Sequence, residues 1–223
     1  MKRLALSLLV LSIVYFSSCD PEPSEDVNQD RIKTDYRVDY NDHKIKTEAV
    51  AQFWFGSTPL KITSPAQILA EDHGLEKRDI LGIVDYTRKF KERIDDVTFE
   101  YRDHDSRTYT NIVSIPEDIQ LPSSLTSISK SEDVLISWEG NPVGTDEIVY
   151  LEIIDDDIIF TLGNSNRGSK SIFIEANSLD EELDGRMEFR MVRHKDWELQ
   201  EAPRGGKVSS NFFSKILHID ITD

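Results

Sequence analysis

The sequence predicts an all-β protein made of two consecutive β-sandwiches. Three observations carry that expectation. Apolar residues recur with a period of two along most of the chain, as in strands with one buried face. The runs are short and separated by Gly, Asn, Asp and Ser clusters, the spacing of a sandwich. Pro116 and Pro122 bracket a short EDIQL segment that divides the strand-rich chain near its middle.

The chain opens on a secretory signal. Lys2 and Arg3 form a basic start, residues 4–16 an apolar run, and Ser17-Ser18 small residues ahead of Cys19, the only cysteine. The apolar run is too short to span a bilayer as a helix. Lipidation explains an odd cysteine here better than a disulfide, because no second cysteine exists to pair with it. Several acyl chains on it would give stable anchoring, where one is marginal. Residues 20–33, DPEPSEDVNQDRIK, are acidic, proline-containing and poor in large apolar groups. That is the composition of a flexible tether.

The first sandwich is expected over 34–116. Thr47, Ala49, Ala51, Phe53 and Phe55 alternate with Glu48, Val50, Gln52 and Trp54, and Val97, Phe99 and Tyr101 alternate with Thr98, Glu100 and Arg102. Similar runs at 35–40, 58–63, 66–71, 84–90 and 107–115 are parted by Asn41-Asp42, Gly56-Ser57 and Asp103-His104-Asp105-Ser106. Residues 74–93 are charge-rich enough for a helix, but Val84, Tyr86 and Phe90 favour a strand. The second sandwich is expected over 117–223, with strands at 134–138, 147–154, 158–162, 171–176, 187–193 and 215–221. Asp155-Asp156-Asp157 reads as a hairpin turn, and Gly205-Gly206 as a flexible loop before the last strand.

Charge narrows the partners. The chain has 26 basic and 42 acidic residues; losing Lys2 and Arg3 with the signal takes the net charge from −16 to −18. A field of that sign opposes nucleic acid and favours cationic groups and divalent ions. No Gly-x-Ser-x-Gly elbow, HExxH, phosphate loop or dinucleotide fingerprint occurs, and no cofactor is expected. The five histidines are scattered, with no i, i+4 pair to begin a zinc site. Asp103 and Asp105, with Asp155 to Asp157 second, are the candidates for calcium. The next alternating position after Asp103-x-Asp105 is Arg107 and no Gly follows, so turn chemistry accounts for them better. Trp138 alternates with a strand's apolar face and reads as core. Trp197, between Asp196 and Glu198 in an expected loop, and Trp54, out of phase with Phe53 and Phe55, are the candidate ligand or partner contacts.

Several of these stretches also resemble known families. Phe16-Ser17-Ser18-Cys19 is similar to the lipobox of bacterial lipoproteins, with Phe16 in place of the usual aliphatic residue. The resemblance implies that Cys19 is lipidated and becomes the mature N-terminus. Glu25-Asp26 resembles acidic export tags on surface lipoproteins of the Bacteroidetes type. Leu125, Val134-x-Ile136-x-Trp138 and Leu183-Asp184-Gly185-Arg186-Met187-x-Phe189-x-Met191 resemble fibronectin type III and related immunoglobulin-like domains, with Met187 where an aromatic is usual. Ala49-x-Ala51-x-Phe53, Asp96-Val97-Thr98-Phe99-x-Tyr101 and Thr108-Tyr109-Thr110-Asn111 resemble a companion domain of Bacteroidetes-type envelope lipoproteins. Here Ser106 stands where a glycine would be usual.

Together the resemblances imply tandem immunoglobulin-like sandwiches anchored through Cys19 to the outer membrane of a Gram-negative envelope, on its periplasmic or cell-surface side. The expected role is non-catalytic binding, adhesion or scaffolding, with an envelope protein or a glycan as partner. The alternative is an envelope carbohydrate-active enzyme using paired carboxylates. With 42 acidic residues, no single pair stands out.

Overall fold

In the computed structural model, residues 20–155, 158–179 and 183–223 are described. The signal with Cys19, and Asp156 and Asp157 of the acidic turn, lie outside them. Ten strands precede Pro116: β1 (Glu22–Pro23), β2 (Ile32–Asn41), β3 (Lys46–Phe55), β4 (Thr58–Lys61), β5 (Gln67–Ala70), β6 (His73–Gly74), β7 (Glu76–Ile80), β8 (Ile83–Phe90), β9 (Asp96–Arg102) and β10 (Thr108–Ser114). After it come β11 (Ile119–Gln120), β12 (Ser127–Ser129), β13 (Val134–Ser137), β14 (Glu139–Gly140) and β15 (Glu147–Asp155). The chain ends with β16 (Ile158–Asn164), β17 (Ser171–Ile174), β18 (Gly185–Trp197), β19 (Gly205–Phe213) and β20 (Leu217–Thr222). Within 74–93 the chain therefore forms the strands β7 and β8 rather than a helix. Among the described residues no helix is long and apolar enough to cross a membrane.

Two cores form between paired layers. In the N-terminal one, Tyr36, Val38, Ala49, Ala51, Phe53 and Tyr86 of the larger sheet meet Ile68, Val97, Phe99 and Tyr101 of the sheet β10-β9-β5-β6. The alternation in β2 and β9 decides which side chains enter, since every second residue faces the partner sheet. Each large apolar side chain so enclosed contributes about 1.5–3 kcal/mol. Ring pairs tighten the centre: Phe53 and Tyr101 lie 4.6 Å apart, Tyr36 and Phe99 4.8 Å. In the C-terminal core Val149, Leu151, Ile153, Phe189, Met191 and Ile219 face Ile136, Trp138, Ile172 and Ile174. Trp138 is buried and its indole N–H donates to Asn141 O at 2.9 Å. The molecule is an all-β double sandwich.

The larger sheet does not break between the two cores. It runs β1-β4-β3-β2-β19-β18-β15-β16, and β19 lies parallel to β2 from Gly205↔Lys33 to Phe213↔Asn41. β18 is long enough to serve both layers. Its first half pairs with β20 and its second half with β19. Val208, Trp197 and Leu199 consequently pack in the N-terminal core, and Tyr40 in the C-terminal one. Across the junction Arg93 reaches Asp118 at 2.8 Å and lies 5.0 Å from the Tyr40 ring centroid.

Two expectations need correction. Residues 20–33 are folded against the N-terminal sandwich rather than a free tether. β1 pairs parallel with β4, and Ser24 and Gln29 are buried. Ser24 Oγ accepts the Thr63 N–H at 3.0 Å, and the Gln29 amide donates to Ser24 O and Val27 O. Composition predicted disorder because the local segment is polar; its polar groups find partners far along the chain instead. Gly205-Gly206, read as loop, opens β19. That strand's inward positions include the buried Ser210, whose hydroxyl donates to Ser114 O at 2.7 Å, so its alternation is partly polar.

Candidate functional site

One transverse row of the large sheet ends in a cleft. Gly205 pairs with Lys33, Lys33 with Trp54, and Trp54 with Pro59. Residues aligned across neighbouring strands share a face. Lys33 and Trp54 therefore stand side by side on the sheet's outer face, with Asp35 and Lys207 one step further in. The cleft is an open surface depression of about 430 Å³, lined by Lys33, Asp35, Trp54, Gly56 and residues 204–207.

Gly206 fits because a Cβ there would strike the Thr34 carbonyl oxygen. Gly205, at a φ of +137°, leaves its side of the cleft open. The Lys207 N–H donates to Asp35 Oδ1 at 2.8 Å, which holds that carboxylate beside the strand.

Three basic side chains meet at this corner. Lys33, Arg204 and Lys207 are exposed, and none has an acidic partner within salt-bridge distance among the described residues. Some exposed basic side chains elsewhere sit beside carboxylates, as Arg37 does beside Asp39 and Arg93 beside Asp95. The half-buried Trp54 adds an aromatic wall and an enclosed indole N–H without an acceptor in the protein. Buried donors are rarely left unmatched. Three cations, one carboxylate and an aromatic surface can hold an anionic, hydroxyl-rich ligand through stacking and charge-assisted hydrogen bonds.

The other sequence candidates are placed differently. Trp197 closes β18 rather than standing in a loop. It is half-buried against the N-terminal core, its Nε1 donates to Ser210 Oγ at 2.7 Å, and Lys195 Nζ lies 4.4 Å from its ring centroid. Its indole N–H is thereby committed within the protein. Asp103 is buried and committed: it accepts the Arg107 N–H at 2.9 Å and Arg107 Nε at 2.8 Å, while Asp105 meets the same guanidinium at 3.1 Å. The turn runs through Ser106 at a φ of +64°, the conformation for which glycine is usual. Among the described residues no three acidic, His or Cys side chains are grouped as metal ligands.

Sequence reasoning missed a third constellation. Ser24 Oγ lies 3.0 Å from His104 Nε2, with Thr63 Oγ1 at 3.2 Å. That spacing suits a nucleophile and its base, but Ser24 is fully enclosed and its oxygen already accepts from the Thr63 backbone. The cluster fastens the N-terminal segment to the 103–106 turn. No local signal announces it, since its members lie 39 to 80 residues apart.

Fold and cleft define a double β-sandwich with an aromatic, cationic corner. No family model and no curated protein matches the chain. Among solved structures it is similar to the I-band fragment I67-I69 of titin, at 10% identity and a TM-score of 0.23, covering 82% of this chain and 63% of that fragment. It is also similar to the fibronectin(III)-like modules of Clostridium thermocellum CbhA, at 11% identity and a TM-score of 0.23, covering 82% of this chain and 94% of that one. A bacterial ice-binding adhesin involved in host cell surface retention gives 11% identity and a TM-score of 0.24, covering 86% of this chain and 65% of that one. Likenesses of this size carry no argument about activity. The sandwich architecture rests on the strand pairing itself.

Proposed function

We propose that this protein is a lipid-anchored, non-catalytic binding module of a Gram-negative outer membrane, held through Cys19, that captures an anionic envelope glycan in the Trp54 cleft. The observation that carries the reading is the grouping of Lys33, Arg204 and Lys207, unpaired among the described residues, around the half-buried indole of Trp54 in a chain of net charge −16. A cation cluster in so acidic a molecule concentrates attraction at one corner and repels anions elsewhere. An indole offers a flat apolar face of the kind that sugar rings stack on. Adhesion or scaffolding follows from holding such a glycan next to the anchor.

One experiment with two readouts tests this. The full chain, expressed in a Gram-negative host, should fractionate with the outer membrane, and Cys19→Ser should release it; membrane retention of that variant removes the anchor from the proposal. The released protein should bind uronate- or phosphate-bearing glycans on an array, with affinity falling as salt rises. Trp54→Ala should weaken binding roughly fivefold to tenfold, and Arg204→Ala with Lys207→Ala by more. Binding that is unchanged in these variants, or seen only with proteins, refutes the glycan assignment.

A further inference from the structure

The β7-β8 hairpin ends in Ile80-Leu81-Gly82-Ile83. Ile80 and Ile83 form its last pair, and Leu81 and Gly82 both have positive φ, +52° and +82°. This is a two-residue loop of the type for which Asn-Gly or Asp-Gly is the favoured sequence. Leucine disfavours that backbone, yet Leu81 occupies it and is 99% exposed, with Ile80 59% and Ile83 51% exposed beside it. Hairpin stability alone would be better served by a short polar residue. A strained, fully exposed leucine between two exposed isoleucines points to a contact outside the chain.

The position of this tip identifies the contact. β1 runs parallel to β4 with Pro23 opposite Lys61, and Lys61 Nζ lies 3.6 Å from Asp79 Oδ2, two residues before Leu81. β4 rises from the Gly56-Ser57 turn, so a chain running alongside it comes from the level of that turn. Asp20, the first described residue, therefore lies at the end that carries the hairpin tip. Trp54 and Lys33 occupy the same end. The C-terminal sandwich is attached at the opposite end, through Tyr40, Arg93 and Asp118.

We propose that Ile80, Leu81 and Ile83 insert into the bilayer that holds the lipid on Cys19, a step that rests on the anchor reading above. A lipid on Cys19 fixes one point and leaves the protein free to tilt. An apolar tip a short distance away makes a second contact, and tethering lets even a weak insertion persist. Asp79, paired with Lys61, and Arg78, paired with Asp85, lie just behind the tip, where charged groups can stay at headgroup level. Two contacts would hold the double sandwich upright, with its C-terminal unit presented away from the membrane.

The chain's only native cysteine is the lipidation site, so Leu81→Cys offers one thiol for an environment-sensitive dye. Substitution at a fully exposed position leaves the core untouched. In isolated membranes bearing the full-length protein, the label at this position should emit blue-shifted light quenched by nitroxide-bearing lipids. The same label introduced by Leu135→Cys, 64% exposed on the C-terminal sandwich, should emit as in water. Water-like emission at the tip overturns the proposal, and so does a blue shift that lipid nitroxides leave unquenched, which would mean a protein covers it. If the labelled protein is not in the membrane fraction, the anchor reading fails on its own. The tip is then judged on neutral phosphatidylcholine vesicles, where quenching supports insertion and its absence refutes it.

Discussion

Replacing Gly206 by alanine should disrupt the seam that joins the two sandwiches. Gly206 pairs with Thr34 where β19 begins its run along β2. An ideal Cβ there would lie 1.8 Å from Thr34 O, 2.6 Å from its carbonyl carbon and 3.0 Å from its nitrogen. All three obstructing atoms are backbone, so no side-chain rotation relieves the overlap. The start of β19 must draw back roughly an ångström or more, at about 1–3 kcal/mol for an overpacked contact. Another 1–2 kcal/mol or so comes from placing a Cβ on a backbone with φ of +155°. Gly56→Ala isolates the conformational part, because Gly56 has φ of +64° with nothing within 4 Å of its ideal Cβ. Urea unfolding followed by tryptophan fluorescence should therefore show a loss of about 1–2 kcal/mol for Gly56→Ala and about 2–5 kcal/mol for Gly206→Ala. Equal losses in the two variants would refute the steric account of the seam.

Two other outcomes follow from buried polar groups. Arg193 is 1% exposed and its Nη1 lies 3.3 Å from Glu147 Oε2, a carboxylate that also meets Lys195 at 3.3 Å and accepts the Gly144 N–H at 2.9 Å. Glu147→Ala leaves that guanidinium enclosed and should cost about 3 kcal/mol in urea unfolding, the lower end for a broken buried pair because Glu117 lies 3.8 Å from it. Trp197→Phe removes the 2.7 Å bond to Ser210; calorimetry should show a loss of about 1 kcal/mol, while glycan binding at the Trp54 cleft stays unchanged.

Legibility in the sequence follows burial pattern. β2, β3, β9 and β15 could be found because apolar and polar residues alternate cleanly along them, and the half-buried face is written in each residue's own chemistry. β19 was missed because one inward position is Ser210, a polar residue whose cost of burial is offset by Trp197 and Ser114 from other strands. The 20–33 segment misled for the same reason: Ser24 and Gln29 look like linker residues until Thr63 and His104 are brought to them. For Trp197, the acidic neighbours suggested a loop, whereas the strand it ends carries its indole back onto the core.

The sequence by itself determined the strand periodicity and the apolar sets that become the cores, because each depends on neighbours a few residues apart. Only the tertiary structure decided the continuous sheet, the cleft and the shared end. Lys33, Trp54 and residues 204–207 are brought together by a parallel pairing across more than 170 residues. Leu81 is brought near β4 because Lys61 and Asp79 join two strands that local pattern cannot relate. Parallel pairing and long-range ion pairs leave no periodic trace in sequence, so the features closest to function are the ones that only folding reveals.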